Sequence, residues 1–321
     1  MNSIAIGIYL LIVASSFYSN KYVLTALGFR FPMVFQGWQT LVGSLILRLL
    51  AYVPSKESPT LSVVAIDRSG FVSLLPNFFL FTVSIIAGSK ALAHLPILVF
   101  VNVSNVVPAS IYLLDNLSFK KSSAVQMVCS VVVLGTCVPV LLTAMDDVID
   151  AKEELLSLMD SPKFWLVVHV FCVIAVTLHG RIADARYGAA DRLFYSYLFS
   201  LVVLAPASLY LEEAFQALHF QPNRQIDFVL GSLISAFVGV AVLLYGIRLK
   251  EDENFGKLHH VSLGLAAILS PAFFATDLPW WGWLCSVLNL TALVFVPTFI
   301  QKDDNKLPVG INAEQLPTHV I

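Results

Sequence analysis

The sequence predicts an all-α membrane protein, a bundle of ten transmembrane helices arranged as two inverted five-helix halves. Three observations predict it. About ten apolar stretches are each long enough to cross a bilayer, which takes roughly 20 residues of helix. Hydrophobic residues make up 58% of the 321 and charged residues only 12%, about half the charged share of an ordinary soluble domain. The mean hydropathy is +0.81. In lipid every backbone polar group must be satisfied within the chain, so repeated apolar stretches become helices.

The stretches read as spans at 3–27, 32–53, 71–92, 96–114, 123–143, 162–180, 192–211, 226–246, 258–276 and 280–299. The first lacks a basic leader and exceeds a signal-peptide core in length, so it reads as a span. Residues 1–300 form one transporter-like domain, with halves at about 1–145 and 160–300, and 301–321 form a polar, Pro-containing tail that reads as disordered. The connector between the halves is acidic, with Asp146, Asp147, Asp150, Glu153, Glu154 and Asp160. An odd number of spans in each half inverts the second relative to the first, a common carrier architecture with its site between the halves.

Orientation follows from lysine and arginine. With the N-terminus in the cytosol, thirteen of the 19 basic residues fall on the cytosolic side. Four (Arg30, Lys152, Lys163 and Arg224) fall opposite, and both termini are cytosolic. Trp38, Trp165, Trp280, Trp281 and Trp283 then sit at non-cytosolic span ends, where interfacial rings belong. The net charge of −2 points to neither nucleic acid nor an acidic partner. Cys129, Cys137, Cys172 and Cys285 lie inside apolar runs and read as small core residues.

Ionisable residues inside a membrane mark function by default. Lys21 in the first span and Lys90 in the third have no carboxylate in their neighbouring spans. A ligand phosphate would supply the missing charge; snorkelling to the interface is the alternative. Gln36 and Gln39 share one helical face, as do Asn102 and Asn105. Such amides read a base edge or a sugar hydroxyl, or join helices. Together with the lysines they predict a polar cavity. Tyr195 and Tyr197, in Phe194-Tyr195-Ser196-Tyr197, offer rings for stacking or for interfacial anchoring. Ser235 and Gly239 read as a helix-packing pair.

Other matches carry no chemistry. Asp146-Asp147-Val148-Ile149-Asp150 has no second aspartate-rich partner, and His259-His260 has no third ligand at a workable spacing. No nucleophile, phosphate-loop or dinucleotide motif is present, so the chain does not read as an enzyme.

Asn20-Lys21-Tyr22-Val23-Leu24, through Phe31-Pro32 to Phe35-Gln36-Gly37-Trp38-Gln39-Thr40-Leu41, closely resembles the transmembrane protein 241 family. That family is a nucleotide-sugar branch of the drug/metabolite transporter superfamily, related to the fungal GDP-mannose transporters. Ala87-Gly88-Ser89-Lys90-Ala91-Leu92 extends the match. The resemblance implies a ten-helix Golgi antiporter that carries UDP-N-acetylglucosamine into the lumen in exchange for UMP, with Lys21 and Lys90 near the phosphate path. The implied partners are a nucleotide sugar, a nucleoside monophosphate and the bilayer, with a homodimer admitted and no nucleic acid or cofactor. The GDP-mannose carriers have Phe-Tyr-Asn-Asn in the seventh span and Gly-Ala-Leu-Asn-Lys in the ninth. The first is altered here and the second absent, which speaks against GDP-mannose. The alternatives are another nucleotide sugar, a phosphorylated metabolite, or a membrane scaffold that transports nothing.

Overall fold

The computed structural model describes residues 3–52, 64–119, 123–143, 161–182, 187–212, 214–219, 224–249 and 255–296. The acidic connector at 146–160 and the tail at 301–321 lie outside the described residues. Among the described residues the regular structure is entirely helical.

α1 (Ser3–Lys21) continues into a π-helical turn, Tyr22–Ala26. Gly28 then turns the chain with φ 67, a left-handed conformation that glycine adopts without strain. α2 (Pro32–Tyr52) starts on a proline, which needs no N–H partner at that position. α3 (Arg68–His94) is capped by Asp67, whose carboxylate accepts from Gly70 N–H at 2.7 Å.

The fourth pass is broken into α4 (Ile97–Ser104) and α5 (Val106–Phe119). Pro108 explains the break: it offers no N–H to the Ser104 carbonyl, and its ring crowds that turn. α6 (Ala124–Thr143) and α7 (Pro162–Ile182) follow. α8 (Ala189–Leu211) opens with Asp191 accepting the Gly188 N–H at 2.9 Å. A 3₁₀ turn, Ala214–His219, leads to α9 (Gln225–Leu249). α10 (Phe255–Leu269) runs into a 3₁₀ turn at Ser270–Ala272, and α11 (Trp280–Leu293) is the last described helix.

Eight of these segments are long and apolar enough to cross a membrane: α1 with its π turn, α2, α3, the α4–α5 pass, α6, α7, α8 and α9. The segments predicted as the last two spans are helical but shorter, at 15 and 14 residues. Pro271 ends the first of them, and Pro279 precedes the second.

α1 packs on α9 and α10, α2 on α8 and α9, α3 on α7 and α8, and α6 on α5 and α11. α4 lies at the centre, with every residue from Ile97 to Val103 buried against Val140, Leu166, Val170, Ala267 and Leu290. Close approach is needed where α2 meets α8, because a Cβ at Gly43 would press into the ring of Tyr197. The perimeter is apolar, with Leu11, Phe171, Val202 and Ile226 among its outward side chains, as lipid demands. Alternating helix direction gives the bundle two ends, called below the Gly28 end and the Asp67 end.

Candidate functional site

A cavity of about 700 Å³ lies at the Gly28 end. Its walls come from the α1–α2 turn, the last turn of α3, the start of α7 and the end of α8. Five of its side chains carry chemistry: Arg30, Lys90, His94, Trp165 and Glu212. The Lys90 ammonium sits 4.3 Å from the centroid of the Trp165 ring, an attractive cation–π distance. A second recess of about 490 Å³ adjoins it through Gly28 and Arg30 and is lined also by His219 and Arg224.

Glu212 belongs to both the cavity and a helix cap. Its carboxylate accepts the Met33 N–H at 2.9 Å and the Val34 N–H at 3.3 Å, at the start of α2. Burial holds its carboxyl above the usual carboxylate range, against the opposing pull of those two N–H groups and of the Lys90 charge. Sequence reading placed no carboxylate near the two lysines within their own half; this one comes from the other.

Of the eight residues singled out by sequence, Lys90 alone lines the cavity. Lys21 lies behind its wall, only 4% exposed. Its ammonium donates to the carbonyls of Leu92 (2.8 Å), Ala93 (3.2 Å) and Leu95 (2.9 Å). The reason is local. Pro96 has no N–H to give the Leu92 carbonyl, so the end of α3 is left with unfilled acceptors, and Lys21 fills them. Neither an open interface nor a free ligand is needed to satisfy it.

Gln39 donates to Asn20 Oδ1 at 2.7 Å and also to Ser235 Oγ, while Ser235 Oγ donates to the same Asn20 oxygen at 3.0 Å. This triangle joins α1, α2 and α9, and gives Ser235 a polar partner beyond packing. Gln36 is half-buried one turn earlier on α2, its backbone carbonyl accepting from Thr40 Oγ1. Asn102 is fully buried and donates to the Leu98 carbonyl at 2.7 Å. Asn105 donates to Asn289 Oδ1 at 2.8 Å, and Asn289 donates onward to Val133 O and Thr136 Oγ1, each at 3.0 Å. That chain binds the α4–α5 break to α6 and α11.

Tyr195 and Tyr197 lie toward the Asp67 end. Tyr197 is buried with Leu47, Phe194 and Val240. Tyr195 donates to the Val64 carbonyl at 2.9 Å and accepts from Ile66 N–H at 3.1 Å. Beside it, Asp191 accepts the Val64 N–H at 2.9 Å, and Tyr187 donates to Asp67 Oδ1 at 2.9 Å. The extended residues 64–67 are thereby strapped across the start of α8. Tyr195 and Glu212 are 17 positions apart, roughly 25 Å along the helix.

Sequence reading missed Arg30, His94, Trp165 and Glu212 as neighbours of Lys90. His94 follows Lys90 by one turn of α3, a spacing that places both on one face. Arg30, Trp165 and Glu212 come from the α1–α2 turn, the start of α7 and the end of α8, so no local pattern announces their meeting. Chemically, the cavity offers two cationic side chains and an aromatic face to an anion. No group of three His, Cys, Asp or Glu side chains placed for a metal ion occurs among the described residues.

Membrane-length helices bundled around a cation-lined cavity define a multi-pass helical membrane protein. No family model matches the chain. It is 32% identical over 257 residues to the UDP-N-acetylglucosamine transporter TMEM241 homolog of Xenopus laevis, covering 79% of this chain and 80% of that one. It is 30% identical over 244 residues to the UDP-N-acetylglucosamine transporter TMEM241 of Mus musculus, covering 74% and 75%. The chain belongs to the TMEM241 family, and both of these relatives are named as transporters.

Proposed function

We propose that the protein is a Golgi nucleotide-sugar antiporter that brings UDP-N-acetylglucosamine into the lumen in exchange for UMP. The observation that carries this reading is the cavity at the Gly28 end, where Lys90 and Arg30 meet beside Trp165. The names of the two relatives supply the substrate. The charge bias of the connectors supports a lumenal Gly28 end and cytosolic termini. A UDP-sugar carries about two negative charges, and UMP about two near neutral pH, so one-for-one exchange is close to electroneutral.

The pairing of helices supports ten passes in two inverted halves, with α10 and α11 as the ninth and tenth. A twofold axis in the membrane plane relates passes one to five to passes six to ten. It turns the α1–α9 pair into the α3–α7 pair, and returns α2–α8 and α6–α11 to themselves. All four pairings occur. Alternating access then means rocking one half against the other around the ligand. In the described conformation the strap at 64–67 lies across the Asp67 end and the cavity lies at the other.

Purified protein in liposomes loaded with UMP is expected to take up external UDP-N-acetylglucosamine. Folded protein that exchanges no nucleotide sugar would refute the reading, and a substrate panel separates this cargo from other nucleotide sugars and phosphate esters. Lys90→Ala is expected to cut uptake at least tenfold with little change in thermal stability. Its ammonium faces a cavity and an aromatic ring, and without it Glu212 keeps the Met33 and Val34 N–H groups as partners.

A further inference from the structure

Glu212 is placed where a binding event in the cavity meets the contact between the two halves. α2 begins on Pro32, which has no N–H, and the Phe35 N–H is already taken by the Phe31 carbonyl at 3.0 Å. The free donors of that first turn are therefore Met33 and Val34, and both point at the Glu212 carboxylate. The carboxylate also meets the positive end of the α2 dipole. Glu212 stands one residue past the end of α8, so a single side chain ties the start of α2 to the end of α8. At the other end of α8 the tie is made by Asp191 and Tyr195 to the strap.

Glu212 is also the carboxylate among the cavity's chemistry-bearing side chains, and the charge of Lys90 acts on it. An empty cavity thus has an internal counter-charge for Lys90. A phosphate group arriving at Lys90 meets the negative charge of Glu212 as well. Like charges a few ångströms apart at a partly wet protein surface repel by about the free energy of a three- to tenfold change in affinity.

We propose that Glu212 is a positioning residue that couples anion binding to the α2–α8 contact. In the empty protein it balances Lys90 and holds the start of α2. A bound phosphate ester takes over as the counter-charge of Lys90, repels Glu212, and loosens its hold on Met33 and Val34. The inference rests on the transporter reading above and assigns that reading its first occupancy-sensing group. It also gives a physical reason for exchange over leak: the empty protein is held by its own carboxylate until another anion takes Lys90.

The test compares wild type, Glu212→Gln and Glu212→Asp in UMP-loaded liposomes, with UDP-N-acetylglucosamine as the external probe. Glutamine keeps the shape and an acceptor for one N–H but removes the charge. Glu212→Gln is expected to lower the apparent KM about three- to tenfold and to lower the maximal rate, with Glu212→Asp returning the KM toward wild type. A lower rate at unchanged KM would make Glu212 a helix cap alone and overturn the inference. Should Glu212→Gln fail to fold, wild type decides through amide hydrogen exchange of the segment 32–36. Saturating UDP-N-acetylglucosamine is expected to speed exchange at Met33 and Val34; unchanged or slower exchange overturns the proposal. Wild type that neither exchanges nor is thermally stabilised by any nucleotide probe refutes the transporter reading itself. Stabilised, exchanging wild type with an indifferent Glu212→Gln refutes this inference only.

Discussion

Lys21 and Lys90 show that two lysines, each in an apolar run without a carboxylate, can have opposite environments. Lys90 stands over an indole at a cavity wall. Lys21 is enclosed by three carbonyls at the end of α3. Replacing Lys21 by Met keeps the length of the side chain but removes its donors. The Leu92 carbonyl, denied an N–H by Pro96, then has no partner in the helix. An orphaned buried acceptor costs about 1–3 kcal/mol, so Lys21→Met is expected to lower the thermal midpoint by several degrees. Lys90→Ala is expected to leave it nearly unchanged. Thermal unfolding of both variants in the same detergent decides the matter. A Lys21→Met protein as stable as wild type but defective in exchange would instead place Lys21 on the ligand.

At the scale of elements, α8 is fastened at both ends to the α2–α3 hairpin. Its start holds the strap through Tyr187, Asp191 and Tyr195, and its end holds α2 through Glu212. The Tyr195 hydroxyl both gives and receives a strap hydrogen bond, so Tyr195→Phe removes two contacts at once. Their loss is worth about 1–2 kcal/mol, roughly a tenfold shift in the opening equilibrium. In an Ile66→Cys background, Tyr195→Phe is expected to speed labelling by a water-soluble maleimide about tenfold. Labelling of a cysteine placed at Arg30, at the other end, is expected to be unaffected. Equal rates with and without the Tyr195 hydroxyl would show that the strap is held by something else. The helices themselves were legible because apolar length alone specifies a membrane helix, and Pro108 marks the break between α4 and α5. The roles of the amides were not legible. Asn105 meets Asn289 and Gln39 meets Ser235 across 184 and 196 positions of chain, and spacing within one helix says nothing about a partner on another.

For the molecule as a whole, sequence pointed to the bundle and to one wall of the cavity, and the limit has a physical cause. Lys90 is conspicuous because a charge in an apolar run is costly. Arg30, Trp165 and Glu212 sit in a turn or at helix ends, where polar and aromatic residues are ordinary and carry no signal until the ends converge. Only His94, one turn beyond Lys90 on α3, was within reach of a local pattern. Glu212 shows the consequence most clearly, since it stands in the second half of the chain and acts on the first turn of α2. The same convergence makes a prediction about the conformational cycle. If the two ends of the bundle open in turn, holding the strap against α8 must stop exchange without emptying the cavity. A reducible cross-linker between cysteines introduced at Ile66 and Arg192, beside the native strap contacts, provides that hold. Cross-linked protein is expected to lose at least tenfold in UMP for UDP-N-acetylglucosamine exchange, yet to keep its thermal stabilisation by the nucleotide sugar, because the cavity lies roughly 25 Å away along α8. Reduction is expected to restore exchange. Exchange that continues at the wild-type rate under a complete cross-link would mean that the Asp67 end does not open, and that the ligand does not cross between the halves.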